Sequence, residues 1–365
     1  MLKITIHQLC VAKKILQMKY CVPKLFFFLL SVTTGYGQTA NNTLKLSLMD
    51  NYEIIRTESR IPGLQIALTH KTRSNSSGDY AVLFLHGSSF PSALAFAFRM
   101  NNYSWMDNLA ENGYDVYALD FLGYGNADRY PEMETDNRDG HPVGRAIDIY
   151  KDVDKAVDLI IRKTGKTKVY LIGHSWGGTV AALYASKFSD KVEKLILFST
   201  ITARQGTSAI EKIEGSYKEM TAVQRINSMQ DLTPEGRDCR LEEEIFQIWG
   251  KAWLQSDPLA AKFKVMRVRF PNGYAADVED LMHNKLYYNP AAIQVPVLVI
   301  RGEWDSYPDN VDSEKLFKSL ENISYKKYVV IEKATHVMHL EKSRHQLYEE
   351  TTQFLKFGTE YERNK

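Results

Sequence analysis

The sequence predicts an α/β protein with a mostly parallel central sheet, flanking helices and one inserted helical cap. Three observations carry this reading. Short apolar, β-branched runs recur along the chain, several of them apolar almost throughout, as strands covered on both faces require. Longer segments with helical spacing fall between them. That alternation stops between Phe198 and Val297, where aromatic-rich, helix-like stretches take its place.

Taken in order, strands are expected over residues 65–68, 81–85, 116–120, 168–172, 194–198, 297–301 and 325–331. The first helix, 102–112, stops at Gly113, a residue suited to the left-handed turn that ends a helix. A second, 144–164, carries Ile147, Val153, Val157, Ile160 and Ile161 at helical spacing and is followed by Gly165. Residues 176–188 form a small-residue-rich helix, and 311–320 and 343–357 close the chain. Helix-like stretches at 208–229, 234–254, 258–268 and 275–286 make up the insert, and Pro290 and Pro296 mark the return to the sheet. The organisation expected is a leader over 1–37, a core over 38–202 and 293–365, and a cap over 203–292.

Composition narrows the function classes. An apolar fraction of 44% and a charged fraction of 25% are ordinary globular values, which exclude a disordered or collagen-like chain. A net charge of +2 gives no electrostatic case for nucleic acid. Five of the 46 basic residues and none of the 44 acids fall in residues 1–37, so the remainder is net acidic. Lys19 and Lys24 precede an apolar run over 25–32, and Gly35-Tyr36-Gly37 offers small residues where a signal peptidase reads them. The run is too short to span a bilayer comfortably. A cleaved secretory signal, with Met18 as an alternative start, and export to the periplasm or medium are expected; membrane attachment would require the leader to remain. Cys10 and Cys21 lie in this leader, so cleavage would leave only Cys239, in a charged stretch with no nearby histidine. Asn41, Asn75, Asn102 and Asn322 stand in glycosylation sequons.

The residues that carry chemistry begin at Gly173-His174-Ser175-Trp176-Gly177-Gly178, between an expected strand and an expected helix. That is the setting of a nucleophile elbow: a serine on a tight, strained turn, with glycines leaving room around it and a helix N-terminus favouring negative charge beside it. A serine nucleophile needs a base and an acid that orients the base. Asp305 follows the strand at 297–301, and His336 follows the strand at 325–331. Asp309 and Asp312 are the rival acids, and His339 and His345 the rival bases; spacing from the strands favours Asp305 and His336. His86 reads as structural. Glu242-Glu243-Glu244 and residues 136–139 read as solvated surface, and the spacing of His141 and Asp136 matches no metal signature.

The order Ser175, Asp305, His336 in this context resembles the α/β-hydrolase fold superfamily, from about residue 64 to the end of the chain. Gly302-Glu303-Trp304-Asp305 fits its G-x-x-D pattern, and Glu341 stands five residues after His336 as the pattern has it. Thr335 departs from it, replacing the usual glycine before the base. Asp120-Phe121-Leu122-Gly123-Tyr124-Gly125 is similar to the loop after the family's fourth strand. The resemblance implies an oxyanion hole from the backbone N–H groups of Ser88, in the His86-Gly87-Ser88-Ser89 loop, and of Trp176. It implies hydrolysis of a small-molecule carboxylic ester or thioester through an acyl-enzyme, with no cofactor and no metal. A serine at the elbow argues against members that use an aspartate nucleophile, since their alkyl-ester intermediate needs a carboxylate there. Among the cap aromatics, Trp249 and Trp253 are the candidates to line the substrate pocket. The alternatives are a proline iminopeptidase-like aminopeptidase cleaving an amide, with Glu243 or Glu244 binding a free amine, and an acyltransferase on the same triad. His174 stands where such peptidases carry glycine. A non-catalytic binding protein of this fold is the alternative from another class.

Overall fold

The structure, a computed structural model, describes residues 52–72, 81–135, 140–206 and 213–357. The expected leader with Cys10 and Cys21, the sequons at Asn41 and Asn75, and the acidic stretch 136–139 lie outside these residues.

Eight strands make one sheet in the order β1-β2-β4-β3-β5-β6-β9-β10. They are β1 (Glu53–Glu58), β2 (Gln65–Lys71), β3 (Ala81–Leu85), β4 (Val116–Asp120), β5 (Val169–His174), β6 (Val192–Phe198), β9 (Val297–Gly302) and β10 (Lys326–Ile331). β1 pairs antiparallel with β2, and β2 antiparallel with β4; every other pairing is parallel. The apolar runs dictate this layout. β3, β4, β5 and β9 are buried at every residue, which only a sheet covered on both faces allows. At the edges, β1 and β10 expose part of each strand. β1 was not expected: Glu-Ile-Ile-Arg-Thr-Glu offers only a short apolar pair between charges.

Helices cover the sheet. Ala146–Thr164 ends at Gly165, whose φ of 68° supplies the left-handed cap, and it packs on Trp176–Lys187. Helix Trp105–Glu111 starts at a capping box of Ser104 and Asp107 and meets the last helix, Arg344–Lys356, through Trp105 stacked on Tyr348 at 5.3 Å.

The insert between β6 and β9 is less helical than its aromatic, helix-like spacing suggests. Residues 217–220, expected within a helix, form β7 (Tyr217–Met220), paired antiparallel with β8 (Val268–Pro271). A capping box between Thr221 and Gln224 then starts helix Ala222–Gln230, so the helix begins where a side chain satisfies its free N–H groups. The stretch 234–254 is helical only near its end, in a π turn, Ile245–Trp249, that runs into helix Gly250–Gln255. Residues 258–268 hold one 3-10 turn, Ala260–Lys262, and helix Gly273–Met282 completes the insert.

Candidate active site

The elbow forms because β5 must end against crowded backbone. Ser175 follows β5 at φ 57° and ψ −127°, in the left-handed half of the map, where a non-glycine residue is strained. The surroundings hold it there. Its N–H donates to the Phe198 carbonyl at 2.9 Å, and its carbonyl accepts from Gly178 N–H at 2.9 Å and Ile201 N–H at 3.2 Å. The flanking glycines are required by contact. A Cβ on Gly177 would lie 2.2 Å from the His86 carbonyl oxygen, and one on Gly178 would lie 2.0 Å from Thr200 Oγ1.

Ser175, Asp305 and His336 come together. The Ser175 hydroxyl lies 2.7 Å from His336 Nε2, and His336 Nδ1 lies 3.0 Å from Asp305 Oδ2. A carboxylate only accepts, so the proton sits on Nδ1 and Nε2 is left to accept from the serine hydroxyl. Asp305 is buried at the carboxyl end of β9. Arg301 donates to the Asp305 carbonyl oxygen at 2.6 Å, and Tyr307 N–H donates to its Oδ1 at 3.1 Å. The rivals are occupied elsewhere. Asp309 caps helix Asn310–Ser319, and Asp312 completes that capping box and pairs with Arg204. His345 is exposed on the last helix. His339 is buried beside the site, and neither of its ring nitrogens has a hydrogen-bond partner among the described residues.

The histidine loop explains its own departure from the pattern. Thr335, which stands in place of a glycine, is fully buried, and its hydroxyl and N–H both donate to Glu341, the N–H at 3.1 Å. Glu341 is itself buried, and burial raises its carboxyl above the usual range. Close contact comes instead at Gly302, where a Cβ would lie 2.1 Å from the Ala334 carbonyl oxygen.

Two residues that sequence reasoning left unassigned support the triad. His174 sits beneath it, and its Nε2–H donates to the His336 carbonyl at 3.0 Å. Burial, followed by the charges of His339 and His336, pulls it well below the usual histidine range, so it is a neutral prop for the loop. The other is Asp277, from the insert, which accepts from the Trp176 indole N–H at 2.9 Å and from Ala146 N–H at 2.6 Å. Its only sequence signal is an acid on an amphipathic helix, which reads as solvated surface.

The two residues expected to donate to an oxyanion, Ser88 and Trp176, stand in segments that border Ser175. Trp176 is the first residue of its helix. Ser88 is in the loop after β3, where Gly87 comes so close that a Cβ on it would be 3.0 Å from Ser175 Cβ. His86 is structural in geometry, with Nδ1 on the Gly87 carbonyl at 2.6 Å, and burial holds it below the usual histidine range.

Trp249 and Trp253 correct the sequence-based expectation. Both are fully buried, and their indole N–H groups donate to the carbonyls of Leu94 (3.3 Å) and Ser89 (2.7 Å). They stack on each other at 5.8 Å and fasten the insert to the loop after β3 rather than facing an open pocket. Glu244 accepts from Asn101 N–H at 2.7 Å and Glu243 from the Gln247 amide at 3.2 Å. A cavity of about 470 Å³ opens in the insert, with Met220, Gln224 and Tyr274 among its walls; Ser175, Asp305 and His336 are not among them. Among the described residues, no cluster of His, Cys, Asp or Glu is placed to hold a metal ion.

Comparison with known proteins bears on the family and the fold. The family model described as alpha/beta hydrolase fold matches residues 80–343. Epoxide hydrolase 3 of Xenopus tropicalis is 32% identical over 134 residues, 36% of this chain and 30% of that protein. Lipase member J of Homo sapiens is 22% identical over 189 residues, 51% of this chain and 52% of that protein. This chain therefore spans about half the length, or less, of these curated relatives. Among solved structures, the thioesterase domain from the curacin biosynthetic pathway superposes with a TM-score of 0.56 at 17% identity, covering 82% of this chain and 98% of that one. A thermophilic esterase from Thermogutta terrifontis gives 0.52 at 20% identity, covering 83% and 98%. Likeness at these identities speaks to the fold alone.

Proposed function

This chain belongs to the α/β hydrolase family, and from that premise we propose that it is a serine hydrolase cleaving a carboxylic ester or thioester. The observation that carries the reading is the continuous hydrogen-bonded path from Ser175 Oγ through His336 to Asp305, at 2.7 and 3.0 Å. His336 Nε2 takes the hydroxyl proton as Ser175 Oγ attacks the carbonyl carbon. Asp305 holds the Nδ1–H tautomer and stabilises the imidazolium that forms. The backbone N–H groups of Ser88 and Trp176 receive the oxyanion, a contribution of about 3 kcal/mol per donor in comparable sites. The leaving group departs with the proton from Nε2, and water, activated by the same nitrogen, releases the acid.

A serine at the elbow supports acyl chemistry over epoxide opening, because an alkyl-ester intermediate needs a carboxylate at that position. Export of the chain after removal of residues 1–37 belongs to the same proposal, resting on the charge and apolar pattern of that segment. No helix among the described residues is long and apolar enough to cross a membrane. The test is turnover of p-nitrophenyl esters of graded chain length beside aminoacyl p-nitroanilides, with Ser175→Ala as the control. Ester turnover that Ser175→Ala abolishes, with circular dichroism unchanged, supports the reading. Turnover of the amides alone, or activity retained by Ser175→Ala, overturns it.

A further inference from the structure

A threonine stands directly before His336, where the family pattern has glycine. Its side chain makes bonds for which glycine has no atom. Thr335 Oγ1 donates to Glu341 and accepts from Val337 N–H at 3.3 Å. One hydroxyl therefore joins a buried carboxylate to the residue after His336. The N–H of Thr335 donates to the same carboxylate at 3.1 Å. Thr335, Val337 and Glu341 are each at most 1% exposed, so these bonds lie out of reach of bulk water.

The consequence is geometric. A peptide unit is planar, so holding both its ends fixes the orientation of the plane. The unit joining His336 to Val337 is held at both. Its carbonyl accepts from His174 Nε2–H at 3.0 Å, and its N–H donates to Thr335 Oγ1. The unit before it is held at the Thr335 carbonyl, which accepts from Met338 N–H at 3.3 Å. The two planes that flank the His336 Cα set the backbone torsions there, and with them the direction of its Cα–Cβ bond. The bond from Nδ1 to Asp305 then limits the side-chain torsions of the imidazole. Glu341 is itself anchored. Ser343 Oγ donates to it at 3.2 Å, and its backbone is bridged to Leu241 of the insert. Glu242 N–H on the Leu340 carbonyl at 3.1 Å and Lys342 N–H on the Arg240 carbonyl at 2.9 Å flank that bridge.

We propose that Thr335 is a positioning residue for the base: its hydroxyl, seated on Glu341, sets the direction from which His336 Nε2 meets the Ser175 hydroxyl. Misplacing a reacting group by about 1 Å can cost about 100-fold in rate, so a loop that is merely folded is not enough. This inference rests on the serine-hydrolase reading for its effect on turnover, while the placement of the imidazole is a property of the loop itself.

The test compares Thr335→Val, which keeps the shape and loses the hydroxyl, with Thr335→Ser, which keeps the hydroxyl, in the full-length chain. The substrate is p-nitrophenyl butyrate, and active sites are counted by fluorophosphonate titration. Thr335→Val should lose about 10- to 100-fold in kcat with KM within about twofold of wild type. Thr335→Ser should stay within about threefold of wild type in both. A hydroxyl that served stability alone would lower the melting temperature of Thr335→Val and leave kcat per folded site unchanged, which would overturn the proposal. Thr335→Ala, which places no methyl against Glu341, gives the same reading should the valine variant not fold. Independently of turnover, the hydrogen-bonded Nδ1–H of His336 gives a downfield proton resonance, assigned by its loss in His336→Gln. It should be sharp in wild type, Thr335→Ser and Ser175→Ala, and broadened or lost in Thr335→Val. That pattern without ester turnover by wild type would remove the hydrolase reading and keep the positioning role. Turnover that Ser175→Ala abolishes but Thr335→Val leaves within about twofold, or a loss that Thr335→Ser shares, would overturn the positioning role and keep the hydrolase.

Discussion

In the sheet, Ser175 and Asp305 are placed by strands buried at every residue, and the register of β5 and β9 sets where each side chain emerges. In the insert between β6 and β9, the same site is reached from outside the sheet, by side-chain hydrogen bonds and by a short backbone bridge from Leu241 to Glu341. Trp253 holds the Ser89 carbonyl, and Asp277 holds the Trp176 indole. The two regions therefore differ in redundancy. The core distributes its hold on the site over many backbone bonds and close contacts, whereas the insert adds a smaller set of side-chain bonds and one short backbone bridge. A change in the core should act on chemistry outright, and a change in the insert should act by degrees.

The largest effects are expected in the core. Asp305→Asn removes the group that fixes the His336 tautomer and should lower kcat by about four orders of magnitude on an ester substrate. A loss under tenfold would move the orienting role to another acid. Trp253→Phe keeps the ring packed on Trp249 but drops the bond to the Ser89 carbonyl, one residue from Ser88, the proposed oxyanion donor. It should lower kcat about tenfold with little change in KM. An unchanged kcat would mean that the insert fastens to the core without tuning it.

Acid should expose a smaller difference. The folded protein holds His339 down to about 3, by burial first and then by the charges of His336 and Arg225. The unfolded chain protonates it near pH ~6.5. Below that value the unfolded state binds a proton that the folded state refuses, so stability falls as pH falls toward 3. His339→Phe leaves no broken hydrogen bond and should flatten urea-unfolding stability against pH by up to about 1.4 kcal/mol per unit in that window. An identical slope in the variant would show that other groups carry the acid sensitivity. The smallest effect belongs to the outer face of the insert. Val223, 67% exposed in the first turn of helix Ala222–Gln230, should tolerate Val223→Thr within about 0.5 kcal/mol of stability.

What the sequence revealed follows the same division. Fully buried strands such as β3 and β4 announce themselves as apolar runs, and the tight turn at Ser175 needs glycines in fixed places. Asp305 was separable from Asp309 and Asp312 because distance from a strand end is visible in a sequence. The insert offers no such ruler. Trp249 and Trp253 look like pocket walls until their N–H groups are seen on core carbonyls. β7 reads as helix because its four residues gain their pairing only from β8, far along the chain. Thr335 looked like a defect in the histidine loop until its hydroxyl was found on Glu341.

The most direct test of the central claim is labelling with a fluorophosphonate probe followed by peptide mapping. The account predicts modification at Ser175, suppressed in His336→Gln because the hydroxyl then has no base. A folded protein that takes no label, or takes it at another serine, would contradict it.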